Sequence, residues 1–190
     1  ASEATTTTKE EMIAATGDHD LNYTDEYTPT HAQTSEGKNE IFLGWSTEKQ
    51  EKVFSKDGVA DGERTASSII TKVNIQNPTT TVYAVWSLDE NNNNIPDIFE
   101  ATVTYKIENG YWFRSEDGEN IDKNDKNVTI TLYEKSGHIW QKIDAKLGDT
   151  IPTVHEGEKG YTAQGWYKDS ETDTVNIEAA TPVTGNVTYT

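Results

Sequence analysis

Oxygen-bearing side chains recur at a set spacing within one 12-residue stretch near the middle of the chain: Asp89, Asn91, Asn93, Asp97 and Glu100. Counted from Asp89, they occupy positions one, three, five, nine and twelve, and Ile95 at position seven can add its backbone carbonyl. That spacing wraps oxygen ligands around a hard cation, and calcium takes about six to eight of them. Position six needs a bend through positive φ, and Asn94 is the next best choice there after glycine. Three carboxylates and two neutral amides predict a modest affinity for calcium, on the order of 10⁻⁴–10⁻³ M. The competing reading is an Asn-rich linker whose amides cap turns.

Other chemistry is sparse. The absence of cysteine removes thiol nucleophiles and disulfides, and neither a Gly-x-Ser-x-Gly elbow nor a glycine-rich phosphate loop is present. His19, His31, His138 and His155 are scattered without metal-ligand spacing and read as surface residues. The 33 acidic residues offer many accidental carboxylate pairs, but nothing singles out one pair for glycosidase work, so the chain reads as non-enzymatic. Trp45, Trp86 and Trp166 read as core residues. Trp112, Trp140 and Tyr111 lie in less regular stretches and are the candidates for exposed, ligand-stacking aromatics. A Lys–Asn or Lys–Asp cross-link would suit a cysteine-free chain; Lys106 is a candidate without an identifiable partner, and no such bond is expected.

Those few groups must be positioned by a thin core. Hydrophobic residues make up 33% of 190 residues and the mean hydropathy is −0.79. Small modules of that kind are marginal without support, and a bound ion would supply it. Net charge is −17, divided as −7 before Asp89 (7 basic, 14 acidic) and −10 from Asp89 onward (9 basic, 19 acidic). A surface so uniformly acidic repels phosphate backbones and anionic lipid, which argues against nucleic-acid partners. No apolar run is long enough to span a bilayer, and no signal-type segment is visible. The Thr-rich opening and the strand-like ending at Thr190 read as the edges of a fragment.

Strand patterns dominate. Residues 81–86 are rich in β-branched and aromatic side chains, and residues 101–107 alternate, with Ala101, Val103, Tyr105 and Ile107 on one face. Residues 128–132 alternate likewise, and Asn109-Gly110 and Asp117-Gly118 are turn signals between these segments, predicting a hairpin over 101–132 with a long connection. Helix is scarce. Thr7 and Thr8, each three residues before a glutamate, predict a short helix stopped by Gly17, and residues 64–72 form a weaker second candidate. The fold class is mainly β with a minor α+β character.

The chain also repeats itself. Pro29-Thr30 precedes Leu43-Gly44-Trp45, and Pro152-Thr153 precedes Gln164-Gly165-Trp166; the Pro-to-Gly gaps are 15 and 13 residues. From each Trp to a later strand valine (Val82, Val187) the distances are 37 and 21, so the first copy carries about 16 additional residues, placed around 56–68. The order of a strand hairpin, Gly148-Asp149-Thr150-Ile151-Pro152, Gly160-Tyr161-Thr162-Ala163-Gln164-Gly165-Trp166-Tyr167 and a closing strand resembles the internalin-type B repeat of bacterial surface proteins. Phe42-Leu43-Gly44-Trp45 with Val82-Tyr83-Ala84-Val85-Trp86 resembles the back half of another copy. The first copy lacks a normal leading hairpin, and the second stops before a Tyr-Ala-x-Trp ending. The 89–100 run is similar to the calcium loops of thrombospondin type-3 and dockerin modules.

The resemblance implies two small β-grasp-like modules in tandem, residues 1–88 and 101–190, joined by a calcium-loop linker at 89–100. It implies a secreted, cell-surface or cell-wall protein with a structural role as spacer or adhesion module, and a host or cell-wall protein or glycan as partner. The alternative is a carbohydrate- or protein-ligand binding module.

Overall fold

A computed structural model describes residues 8–13, 15–49, 53, 69–76 and 79–190. Short runs of β-branched and aromatic residues, each interrupted by Gly, Asn or Asp, build a mainly β molecule. Among the described residues its helical segments are three-residue 3-10 turns, at Asp25–Tyr27, Asp97–Phe99 and Gly148–Thr150.

In the first half, β1 (Gly17–Asp20) pairs antiparallel with β3 (Lys72–Ile75), and β2 (Asn39–Ser46) pairs antiparallel with β4 (Tyr83–Asp89). The β2–β4 register runs from Asn39↔Asp89 to Ser46↔Tyr83 and slips between Phe42 and Gly44. Leu43 is the extra residue of that bulge and is buried. Gly44 follows with φ +152°, and a Cβ there would lie 2.7 Å from Ile69 Cγ2 and 2.8 Å from the Tyr23 hydroxyl. Glycine is what allows the chain to pass that close. Phe42 sits edge-on to both Trp45 and Trp86, at 5.1 and 5.8 Å between ring centres.

In the second half, β5 (Glu100–Tyr105) is the middle of a three-stranded sheet. It pairs antiparallel with β9 (Lys126–Thr131) and parallel with β15 (Val187–Tyr189). The expected hairpin is therefore present, with Glu100↔Thr131 and Tyr105↔Lys126 at its ends. Ala101, Val103 and Tyr105 are fully buried on the predicted face, while Ile107 lies past the strand's end and is only partly buried. The long connection holds β6 (Gly110–Tyr111), β7 (Phe113–Arg114) and β8 (Ile121–Asp122), with Gly118 at φ +73° at the tip of the β7–β8 hairpin. Around the sheet lie the hairpin of β10 (Tyr133–Ser136) and β11 (Ile139–Lys142), β12 (Glu156–Gly157) paired with β6, and β13 (Trp166–Tyr167) paired with β14 (Thr174–Val175).

Among the described residues no strand ladder crosses the 89–100 stretch. Apolar packing does cross it: Leu43 and Val85 share one cluster with Ile98, Phe99, Ala101 and Val103. His138 also reaches back, with Nε2 3.1 Å from Asp25 Oδ1 and Nδ1 3.2 Å from Thr28 Oγ1.

Two helix expectations need correction. Residues 8–13 are not helical, and Met12 is 97% exposed. Capping signals alone cannot hold one or two turns when no apolar face docks. Of the second candidate, residues 64–68 lie outside the described residues, as does the whole of the expected insertion around 56–68. Its remaining part is extended: Ile70 bridges to Trp45 and Lys72 opens β3, as its β-branched content favours. No helix of the described residues is long and apolar enough to cross a membrane.

Candidate metal centre

The 89–100 stretch is pinned at both ends by strands. Asp89 is the last residue of β4 and Glu100 the first of β5, so positions one and twelve are fixed by ladder partners Asn39 and Thr131. Between them the chain turns twice through positive φ, at Asn92 (57°) and at Asn94 (67°), the expected bend position. It then enters the 3-10 turn closed by Phe99 N–H donating to Pro96 O at 2.8 Å. The fully buried Ile98 and Phe99 anchor that turn, and Phe99 stacks on Tyr133 at 4.2 Å. Ile95 packs against the core as well, leaving its main chain to the loop.

The carboxylates face inward. Asp89, Asp97 and Glu100 are 0, 4 and 2% exposed. Asp89 Oδ1 accepts from Asn93 N–H (3.1 Å), and its Oδ2 accepts from Asn94 N–H (2.9 Å) and Asn39 Nδ2 (3.3 Å). Asp97 accepts Glu90 N–H on both oxygens, at 3.2 and 3.1 Å. Glu100 accepts from Asn91 Nδ2 (3.2 Å) and Asn93 Nδ2 (2.6 Å). The Oδ1 atoms of Asn91 and Asn93 accept the backbone N–H groups of Asn93 and Ile95, at 3.0 and 2.8 Å.

All six predicted ligand residues therefore belong to one wound loop. Their carboxylates, however, are turned to separate amide donors, and among the described residues no closed cluster of three acidic or histidine ligands is found. Neither Asp89 nor Asp97 forms an ion pair with a lysine or arginine among the described residues. Lys38 reaches the loop but donates to the Glu90 carbonyl at 2.6 Å. Burial pushes the Asp97 carboxyl up to about 6; its hydrogen bond from Glu90 N–H opposes this, and the charges of Glu90, Glu100 and Asp89 add to it. Buried acids of one sign are costly unless a cation joins them. The donor set, all oxygen and rich in carboxylate, fits a hard divalent ion.

The aromatic candidates lie elsewhere, and not as a platform. Trp112 is buried, stacked on Trp166 at 6.3 Å, and donates Nε1–H to Asn124 O at 2.7 Å; Tyr111 is buried too. Trp140 is half-buried against Phe99, at 5.4 Å. Trp45, Trp86 and Trp166, expected in the core, are half-buried: Trp45 and Trp86 pack around Phe42, and Trp166 packs against the core cluster. The histidines do not converge: His19 lies 3.9 Å from Glu11 and His31 2.5 Å from Glu40, while His155 packs near Tyr111. Lys106 Nζ lies 3.7 Å from Asp125 Oδ2, with both side chains about half exposed. No protein family, curated protein or solved structure matches the chain.

Proposed function

We propose that this chain is a non-catalytic region of a bacterial cell-surface or secreted protein, made of two β-grasp-like repeat modules whose junction is stiffened by calcium. The observation that carries the reading is the burial of Asp89, Asp97 and Glu100 within one 12-residue loop held between two strands. Asp89, Asn91, Asn93, Asp97 and Glu100 hold the ion with side-chain oxygens, and Ile95 with its carbonyl. The bound charge offsets the repulsion among the acids, so a stretch that would otherwise flex holds β4 and β5 at a fixed angle. The work is mechanical: spacing, display and adhesion outside the cell.

Support for the repeat comes from matching strand partners. Trp45 bridges to Ile70 and Trp166 pairs with Val175, both antiparallel. The separations are 25 and 9 residues (70 − 45 and 175 − 166), and they differ by the 16 residues expected of the longer copy. Each Trp follows a positive-φ glycine, Gly44 or Gly165, whose nearest neighbours belong to Ile69 and Thr174, the residues just before those partners.

Calcium titration of the whole chain tests the reading by thermal midpoint and small-angle scattering. At about 100-fold above Kd, calcium adds roughly 2.7 kcal/mol of stability. An unchanged midpoint together with an unchanged scattering profile would sink the calcium mechanism.

A further inference from the structure

A second site stands apart from the loop. An open cavity of about 390 Å³ lies where β6, β7, β8 and β12 meet. Arg114, Lys123 and Lys159 line it, and Glu158 is the one acid in its lining. In a chain whose acids outnumber its bases 33 to 16, basic side chains have no shortage of carboxylates to pair with. Lys123 takes Glu158, yet Arg114 and Lys159 form no ion pair among the described residues. Arg114 is held over the Tyr111 ring, with Cζ 6.0 Å from its centre, and lies against Gly118 at the hairpin tip. Its fork is thus kept in place without a carboxylate to fill it. Apolar surface flanks the charges: Ile121 lines the cavity at 48% exposure. Tyr161, 57% exposed, folds against Gly157 in the wall, where a Cβ would meet the Tyr161 carbonyl at 2.8 Å.

We propose that this cavity binds a short saccharide bearing a single carboxylate. The Arg114 fork matches a planar carboxylate in two-point geometry, which a lysine ammonium cannot do. Lys159 adds a second charge, Glu158 accepts from sugar hydroxyls, and Ile121 covers the C–H face of the ring. A volume of about 390 Å³ exceeds what a bare carboxylate needs and falls in the range of small-molecule sites. Net charge decides against polyanions: at −17 the far field repels a long charged polymer, while a ligand of one charge pays little for the approach.

The test uses the whole chain in chelator, with glucuronate and N-acetylneuraminate as probes and glucose and acetate as controls, followed by amide NMR. Saturable shifts at Arg114, Lys123 and Gly157 are expected with one or both sugar acids and with neither control, weakening as salt is added. Arg114→Gln should weaken binding about tenfold with an unchanged thermal midpoint, and Lys159→Gln should weaken it less. No saturable shift into the tens of millimolar would overturn the proposal. So would an equal response to glucose or acetate, tighter binding of an acidic peptide, or undiminished binding by Arg114→Gln in a folded chain.

Discussion

Residues 89–100 and 115–126 are two acid-rich 12-residue stretches with opposite fates. The first holds four acids and no base; the second holds five acids with Lys123 and Lys126. In 89–100 three of the acids point inward, and burial raises Asp97 to about 6. In 115–126 the acids lie at the surface. The Ser115 hydroxyl holds Asp117 below the usual carboxylate range, and Lys126 does the same for Asp122. The difference comes from the ends. Asp89 and Glu100 terminate β4 and β5, whose apolar faces join the core, so the acids follow the strands inward. The 115–126 stretch caps the two-residue strands β7 and β8, with Phe113 and Ile121 exposed, and nothing pulls it under. Acid count alone does not make an inward-facing site.

The largest effect should come from Asp89→Ala in calcium. The substitution removes the position-one ligand and the acceptor for the amides of Asn93 and Asn94 together. Unfolding titrations should show a loss of about 3 kcal/mol, or roughly 6–12 °C in Tm, and no remaining response to calcium. The matched substitution Asp117→Ala should leave both the midpoint and the calcium response unchanged. If the two variants behave alike, the distinction between the stretches fails.

Next in size is the pH dependence in chelator. Asp97 titrates at about 6 when folded and near 3.8 when unfolded, so between those values the folded chain holds the extra proton. Its contribution to stability is fully present below about 3.8 and is lost as pH rises through about 6. The loss is at most about 3 kcal/mol. Denaturation at about pH 4 and pH 7 should show a smaller decline in Asp97→Asn than in the unmodified chain. Saturating calcium should reverse the slope, because the ion requires the ionised carboxylate. An identical slope in Asp97→Asn would remove this carboxyl from the account.

Much of this contrast is legible in the sequence, and the illegible part has physical reasons. The alternation of Ala101, Val103 and Tyr105 gives the buried face of β5, because a strand's period of two admits no other reading. Asn94 reveals its bend through the rarity of positive φ outside glycine. The absence of helix over residues 8–13 shows the limit of local signals, since capping residues say nothing about whether Met12 has anything to dock on. Arg114, Lys123 and Lys159 escape a linear reading altogether. They converge only because β6 pairs with β12 and β7 with β8, across separations of up to 47 residues (157 − 110). That a Cβ at Gly44 would lie 2.7 Å from Ile69 is likewise a tertiary fact, and the glycine before each Trp is its trace in the sequence.

The smallest effect, and the finest test of the contrast, concerns Asp122. Lys126 donates to its Oδ2, and Asn124 donates to Oδ1 from N–H at 3.0 Å and from Nδ2 at 3.2 Å. These bonds favour the ionised form, so the carboxyl titrates below its ordinary 3.8. Any stability it adds is present above that ordinary value and is lost as pH falls through the depressed one. Solvent screens a pair this exposed, so the change in Tm should be too small to measure. Carboxyl NMR should still resolve it, with the Asp122 midpoint moving up in Lys126→Gln but staying below the ordinary value while Asn124 remains. Asp97 should not move in that variant. If it does, the two stretches are coupled, and the environments of the loop and the hairpin are not the separate things their burial implies.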